Sequence, residues 1–128
     1  MAVLLFAVGM TGCAAVPTPS PTPGFGPATW ALDPAFPDPT ADSTEFHILV
    51  WERACSGGSA ATGRMSAPVL EYAAQTVTIT IEVRGLGGIL TCPGNEATPS
   101  TVRLAEPLGD RTLLDGGRDP VAVPTFPY

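Results

Sequence analysis

The chain has 128 residues, which is enough for one domain and little more. It contains twelve acidic residues, six arginines and no lysine, and its net charge is −6. Because neutralising phosphate groups requires clustered cations, this balance argues against nucleic acid as a partner and against electrostatic docking on anionic lipid.

Residues 1–12, MAVLLFAVGMTG, form an apolar run without a charge. The run is too short to cross a bilayer as a helix, which takes about 20 apolar residues, but it suits the hydrophobic part of a secretory signal. No cation precedes the run, and the first one in the chain is Arg53. Because a signal normally opens with a positive segment, we expect the natural start to lie upstream of Met1.

The segment MTGC, residues 10–13, resembles the lipobox of bacterial lipoprotein signals, in which a small residue precedes an invariant cysteine. The resemblance implies that Cys13 carries a diacylglycerol and becomes the first residue of the mature protein. Met10 stands where leucine is usual. The predicted location is therefore the outer face of the cell membrane. An ordinary cleaved signal, with Cys13 incidental, is the alternative and would give a secreted protein.

Residues 13–44 are predicted to form a tether, because eight of the fifteen prolines fall between residues 14 and 44. Proline interrupts helices and cannot donate to a sheet, so we expect a disordered segment rich in extended polyproline II. Three aromatic residues are unusual in a spacer: Phe25, Trp30 and Phe36. We expect them to lie against the folded domain rather than to form a motif for a proline-binding partner.

From Glu45 onwards the composition changes to short β-prone runs separated by turn signals. In QTVTITIEVRG, residues 75–85, apolar and polar residues alternate, which predicts a half-buried strand. The predicted inward residues are Val77, Ile79, Ile81 and Val83. Residues 46–51 are apolar on both faces, which predicts a central strand. The fold class is therefore all-β, a small antiparallel sandwich or partial barrel over residues 45–120, followed by a tail over residues 121–128.

A core of this size gives only marginal stability, and domains this small often need a disulfide or another cross-link. If Cys13 carries lipid, Cys55 and Cys92 remain, and an exported chain lies in a disulfide-permissive compartment. The cysteine count therefore predicts a Cys55–Cys92 bridge, with two separate thiols as the alternative. No metal or cofactor is expected, because His47 is the only histidine and no C-x-x-C spacing is present.

Three further segments are distinctive as a set: ERACSGG at residues 52–58, CPGN at residues 92–95 and PLGDRTLLDGG at residues 107–117. Together they resemble a family of small lipoproteins and secreted proteins of high-GC, actinobacterial-type bacteria. The resemblance covers about residues 50–117 and supports the domain boundaries and the disulfide. The family carries no established activity, so the resemblance implies no reaction.

The segment PLGDRTLLDGG also has a structural interpretation. Residues 107–110 are typical of a tight turn. We expect Leu113 and Leu114 to return to the core, and residues 116–117 to end the element.

The segment GSAATGRM, residues 58–65, has the glycine spacing of a phosphate-binding loop. Arg64 stands where such a loop requires lysine, and Met65 stands where it requires a hydroxyl for Mg²⁺. We therefore interpret this segment as a flexible surface loop.

A serine hydrolase would have to use His47 as its base. The candidate nucleophiles are Ser56, Ser59 and Ser66, but no G-x-S-x-G motif is present. Paired carboxylates are a second route, for glycoside cleavage, and the glutamates on predicted strands are Glu52, Glu71 and Glu82. A packed or edge histidine and a solvated strand face explain these residues equally well.

Three aspartates lie within GDRTLLDGGRD, residues 109–119: Asp110, Asp115 and Asp119. Their spacing does not match the loop that binds Ca²⁺ in EF-hands. Arg111 and Arg118 are interleaved with them, so we expect local salt bridges.

These features predict a non-enzymatic, lipid-anchored module outside the cytoplasm, attached to the membrane through Cys13. Its partner would be an envelope protein, a wall polymer or a small molecule. The alternative is a small extracytoplasmic hydrolase that uses carboxylates or His47.

Overall fold

The computed structural model describes residues 24–127, which contain seven β-strands joined by turns and loops. The strands are β1 (Phe25–Leu32), β2 (Glu45–Glu52), β3 (Val69–Tyr72), β4 (Thr76–Thr80), β5 (Glu82–Arg84), β6 (Thr98–Arg103) and β7 (Thr112–Asp115). Within residues 24–127 there is no helix, and hence none long and apolar enough to cross a membrane. The predicted all-β fold is confirmed, whereas the predicted signal at residues 1–12 and Cys13 lie outside the described residues.

The strands form two sheets that enclose one core as a half-barrel. The larger sheet has the order β5-β1-β2-β6 with antiparallel neighbours, and the smaller has the order β3-β4-β7. β3 pairs with β4 antiparallel, and β7 runs parallel to β4. The alternating segment of residues 75–85 supplies both β4 and β5, so it passes from one sheet to the other at Ile81. The Ile81 carbonyl accepts a hydrogen bond from the N–H of Ala28 on β1, at 3.2 Å.

The core lies between the sheets. It contains the face of residues 75–85 that the alternation of apolar and polar residues predicts to be buried. All four predicted residues are buried: Val77, Ile79, Ile81 and Val83. They cluster with further buried residues from β1, β2 and β6, among them Trp30, Ile48, Val50 and Val102. Burial of each large aliphatic side chain contributes about 1.5–3 kcal/mol, so this cluster drives folding. β2 lies between β1 and β6, as predicted for the central strand.

The predicted domain boundary at residue 45 is corrected by β1. This strand lies inside the predicted tether, between β5 and β2. Trp30 is fully buried, and its indole N–H donates to the carbonyl of Ile79 at 3.0 Å. Phe36, outside the strand, stacks on His47 with 3.7 Å between ring centroids. The expectation that these aromatic residues lie against the domain is therefore confirmed for Trp30 and Phe36, and Trp30 belongs to the core itself.

The predicted C-terminal tail also packs against the domain. Ala122 forms a β-bridge with Asp115, and the rings of Phe126 and Trp51 pack in a T-shaped arrangement with 5.6 Å between their centroids. Arg118 donates to the carbonyl of Thr125 and holds the segment between these contacts. The described part of the tail therefore belongs to the fold.

The predicted Cys55–Cys92 disulfide is confirmed, with 4.6 Å between the two Cα atoms. It joins the end of β2 to the loop before β6 across a sequence separation of 37 residues. In the chain-entropy model, closing a loop of this length stabilises the fold by roughly 3–4 kcal/mol. That is a large share of the roughly 5–15 kcal/mol typical of a folded domain.

Candidate functional site

An open groove of about 860 Å³ lies where β2 ends. Four parts of the chain that are distant in sequence line it: Thr29 of β1, the end of β2, the disulfide with residues 93–95, and residues 118–127. Its principal side chains are Trp51, Arg53, Asn95, Arg118, Asp119 and Phe126. A concave site of this size, with aromatic surface and a few polar groups, is typical of ligand binding.

The first wall of the groove is the disulfide loop, and Asn95 fixes its shape. The Asn95 amide donates to the carbonyls of Glu52 and Ala54, both at 2.8 Å. Its Oδ1 accepts from the hydroxyl of the buried Ser56 at 2.7 Å. These bonds and the Cys55–Cys92 bridge tie the CPGN segment to the end of β2. Asn95 therefore builds the wall rather than contacting a ligand.

The second wall is organised by Asp115, at the end of β7. Its carboxylate is fully buried and accepts from the N–H of Trp30 at 3.1 Å and from the N–H of Gly117 at 2.9 Å. Arg118 adds an ion pair at 3.1 Å. Burial raises the pKa of Asp115 above its ordinary value, while these three donors oppose the rise. Asp115 does not line the groove, so its shifted pKa belongs to the wall and not to a reacting group.

The glycines after Asp115 allow this wall to lie directly on β1. A Cβ atom on Gly117 would stand 1.8 Å from the carbonyl oxygen of Ala28, and one on Gly116 would stand 2.0 Å from Oγ1 of Thr80. Residues 116–117 end the element, as predicted. The sequence pattern did not indicate that both positions exclude any side chain.

Arg53 is the cation of the groove that is free to meet a ligand. Its Nη1 donates to the carbonyl of Gly117 at 3.1 Å, which fixes the guanidinium beside the second wall. No carboxylate within residues 24–127 forms a salt bridge with Arg53, whereas Arg118, also in the groove, is paired with Asp115. A guanidinium presents five N–H donors in a planar fork, which suits a carboxylate or another planar anion.

The residues considered for nucleophilic catalysis are engaged elsewhere. His47 lies on β2, and its Nδ1 is 3.3 Å from the hydroxyl of Thr101. Ser56 donates to Asn95, and the Ser66 hydroxyl accepts from the N–H of Glu82 at 3.0 Å. No hydrogen bond in the described part of the chain joins His47 to Ser56, Ser59 or Ser66.

The carboxylates considered for glycoside cleavage also lie apart. Glu52 is buried and forms an ion pair with Arg64 at 2.8 Å, while Glu71 and Glu82 are exposed on β3 and β5. Arg64 also donates to the carbonyls of Ala60 and Arg84. The predicted surface loop at residues 58–65 is therefore pinned by Arg64, which nothing in the sequence pattern indicated.

The predicted salt bridges of residues 109–119 are confirmed for Asp115 with Arg118. Arg111 pairs instead with Glu106, at 2.6 Å, and its guanidinium lies 5.3 Å from the ring centre of Tyr72. Asp110 and Asp119 are exposed. No group of three or more potential metal ligands occurs within residues 24–127.

No protein-family model, no curated protein and no solved structure matches this chain. The resemblance to lipoproteins of high-GC bacteria thus remains a prediction from the sequence segments that carry it.

Proposed function

We propose that this chain is a non-enzymatic binding module, anchored by lipid at Cys13 to the outer face of a bacterial cell membrane. The MTGC segment and the proline-rich residues that follow it support the anchor and a short spacer. The Cys55–Cys92 disulfide supports a location outside the cytoplasm, because such bridges persist in oxidising compartments. On this proposal the chain belongs with the small lipoproteins that its sequence segments resemble.

The observation that carries the binding function is the composition of the groove. Trp51 and Phe126 offer aromatic surface, and Arg53 offers hydrogen-bond donors that no carboxylate of the described chain occupies. Of the other polar groups nearby, Asn95 ties the disulfide loop and Asp115 ties β1 to the segment after β7, whereas Asp119 is an exposed carboxylate of the lining. No hydrogen bond of the described residues joins Asp119 to a second titratable group, so the groove favours holding a ligand over moving protons.

The chemistry of the groove favours an anionic ligand with an apolar part. Arg53 would bind the anionic group through paired N–H donors. The rings of Trp51 and Phe126 would pack against the apolar part of the ligand. An envelope protein, a wall polymer or a small molecule could each carry such a group. The partner is proposed to lie in the envelope because the anchor places the domain there.

The test is recovery of envelope material on the immobilised chain. We expect wild type to retain a component that Arg53→Gln and Trp51→Ser both lose. Arg103→Gln is the matched control, because Arg103 is an exposed cation on β6 outside the groove. Equal recovery by wild type and Arg53→Gln, with unchanged melting curves, would contradict the assignment of the groove as the binding site.

A further inference from the structure

Residues 85–91, GLGGILT, form a loop after β5, which we call the apolar loop; Leu86 and Ile89 lie in solvent and Leu90 is half-buried. Ile89 is fully exposed at 105%, and Leu86 is exposed at 50%. No charged residue occurs from Gly85 to Asn95. Single exposed aliphatic residues are ordinary on protein surfaces, but an uncharged loop that presents two of them at one tip indicates a contact.

The apolar loop is tied down at both ends and free between them. The N–H of Gly85 donates to the carbonyl of Gly24, and the carbonyl of Thr91 accepts from the N–H of Gly57 at 3.0 Å. Gly87 and Gly88 have φ values of 75° and 76°, which glycine adopts without strain and which turn the tip. The fold therefore holds the loop in place while leaving Leu86 and Ile89 unpacked.

The first of these ties places the loop beside the start of the described chain. Cys13 precedes Gly24 by eleven residues. Even a fully extended chain, at about 3.6 Å per residue, would reach no more than roughly 40 Å over that separation. If Cys13 is the anchor, the end of the domain that bears the apolar loop is the end tethered close to the membrane.

Arg84 adds a cation next to the apolar loop. Its side chain is exposed, and it forms no salt bridge with the carboxylates of residues 24–127. The Arg84 stem runs alongside Gly24, where a Cβ atom would meet it at 3.8 Å. A long cationic side chain beside apolar residues suits a membrane interface, because its stem packs among apolar groups while its head stays in the polar layer.

We propose that the apolar loop is a second, non-covalent contact of this protein with the lipid surface. Leu86 and Ile89 enter the boundary between head groups and acyl chains, and Arg84 remains at the head groups. The orientation rests on the proposed anchor at Cys13. The contact would hold the domain against the membrane and keep the groove at a fixed orientation to the lipid surface.

Lipid fits this surface better than a protein partner does. The apolar loop presents two exposed aliphatic side chains, whereas a stable protein interface buries about 800 Å² on each partner. The net charge of −6 would repel anionic head groups, so the contact depends on apolar insertion and not on electrostatic attraction.

The test uses residues 14–128, which contain all seven strands and the disulfide but neither the apolar N-terminal run nor the acylated cysteine. Binding to phosphatidylcholine vesicles is measured at low and high salt. We expect a weak association that salt does not abolish. The partition coefficient of Ile89→Ser should be about tenfold lower than that of wild type, because burying an aliphatic side chain in the lipid increases partitioning by about that factor or more. Val69→Ser, a 58% exposed aliphatic residue on β3, is the matched control and should bind as wild type does.

Absence of vesicle binding, or equal binding by wild type and Ile89→Ser, would overturn the proposal. Self-association that Ile89→Ser abolishes, without vesicle binding, would show a second copy as the occupant and would overturn it too. Ile89 packs against nothing, so its variant should keep the melting curve of wild type. Because the chain used lacks Cys13, these outcomes are independent of whether the proposed anchor and groove are correct.

Discussion

Gly117 occupies the tightest position in the wall of the groove. Its N–H donates to Asp115, its carbonyl accepts from Arg53, and its Cα lies against the backbone of Ala28. One residue without a side chain thus connects the buried carboxylate, the exposed guanidinium and β1. Its role is close approach of two backbones, since its φ value lies outside the left-handed region.

We therefore expect Gly117→Ala to lower the free energy of unfolding by about 3 kcal/mol or more, at the upper end of overpacking effects. The added methyl group meets backbone, which cannot rotate away as a flexible side chain could. Gly26→Ala is the control, because no atom lies within 4 Å of a Cβ there, and alanine costs less conformational entropy than glycine in a strand. Urea unfolding of the two variants measures the contrast, and equal stability of both would contradict the described packing.

Asp115 links stability to pH. Its pKa is raised in the folded protein, mainly by burial, so the folded state holds this proton more tightly than the unfolded state does. The stabilisation from this group is full below its ordinary pKa of 3.8 and is lost as pH rises through its folded pKa. We expect the stability difference between wild type and Asp115→Asn to shrink as pH rises from about 4.

Urea unfolding of both chains at a series of pH values measures this difference. Asp115→Asn should be the less stable at low pH, because its NH2 group cannot accept from the N–H of Trp30 or Gly117, whereas the hydroxyl oxygen of the protonated carboxyl still can. A difference that grows with pH would mean that the three donors to the carboxylate outweigh its burial, which would reverse the direction of the pKa shift.

Among the elements, β1 shows why one strand escaped prediction while another did not. β4 and β5 alternate because one face is buried and the other is solvated. In β1 the four consecutive residues Ala28–Ala31 are all buried: Ala28 and Trp30 belong to the core, and Thr29 and Ala31 on the opposite face are buried as well. A strand that is covered on both sides has no period of two, and the surrounding prolines concealed its composition.

The position of β1 changes the expected effect of truncation. A chain that begins at Gly24 should keep the cooperative thermal transition, whereas a chain that begins at Asp42 should lose it. The second chain lacks Trp30, whose loss alone costs about 3–5 kcal/mol when truncated to alanine, and it lacks the strand between β5 and β2. Differential scanning calorimetry distinguishes the two, and a cooperative transition in the chain from Asp42 would contradict the role of β1.

At the scale of the whole molecule, the sequence predicts the disulfide and the strands after β1, but not the groove. Cysteine number and the predicted compartment were enough to pair Cys55 with Cys92. Turn signals separated most of the runs, although residues 75–85 divide into β4 and β5 without one. The groove brings together residues 51–55, 92–95 and 118–127, whose proximity depends on strand order and on the parallel pairing of β7 with β4. Local patterns carry no information about such pairing, so Arg53 could not be distinguished from a solvated surface cation.

The domain has two proposed attachments to one membrane. The acylated Cys13 would supply most of the affinity, because two acyl chains anchor stably where one is marginal. The apolar loop would add orientation, and the groove would then meet envelope components at a short distance from the bilayer. Each part is separable by mutation, since Cys13, Ile89 and Arg53 lie in different segments of the chain.

The proposed anchor is tested most directly by fractionating cells that express the gene with its native upstream region, as wild type and as Cys13→Ala. We expect wild type in the membrane fraction, extractable only by detergent, and most of Cys13→Ala outside that fraction, with a mass on the wild-type protein that includes at least two acyl chains. Equal membrane partitioning of the two proteins, or a wild-type mass without acyl groups, would contradict the lipid anchor at Cys13.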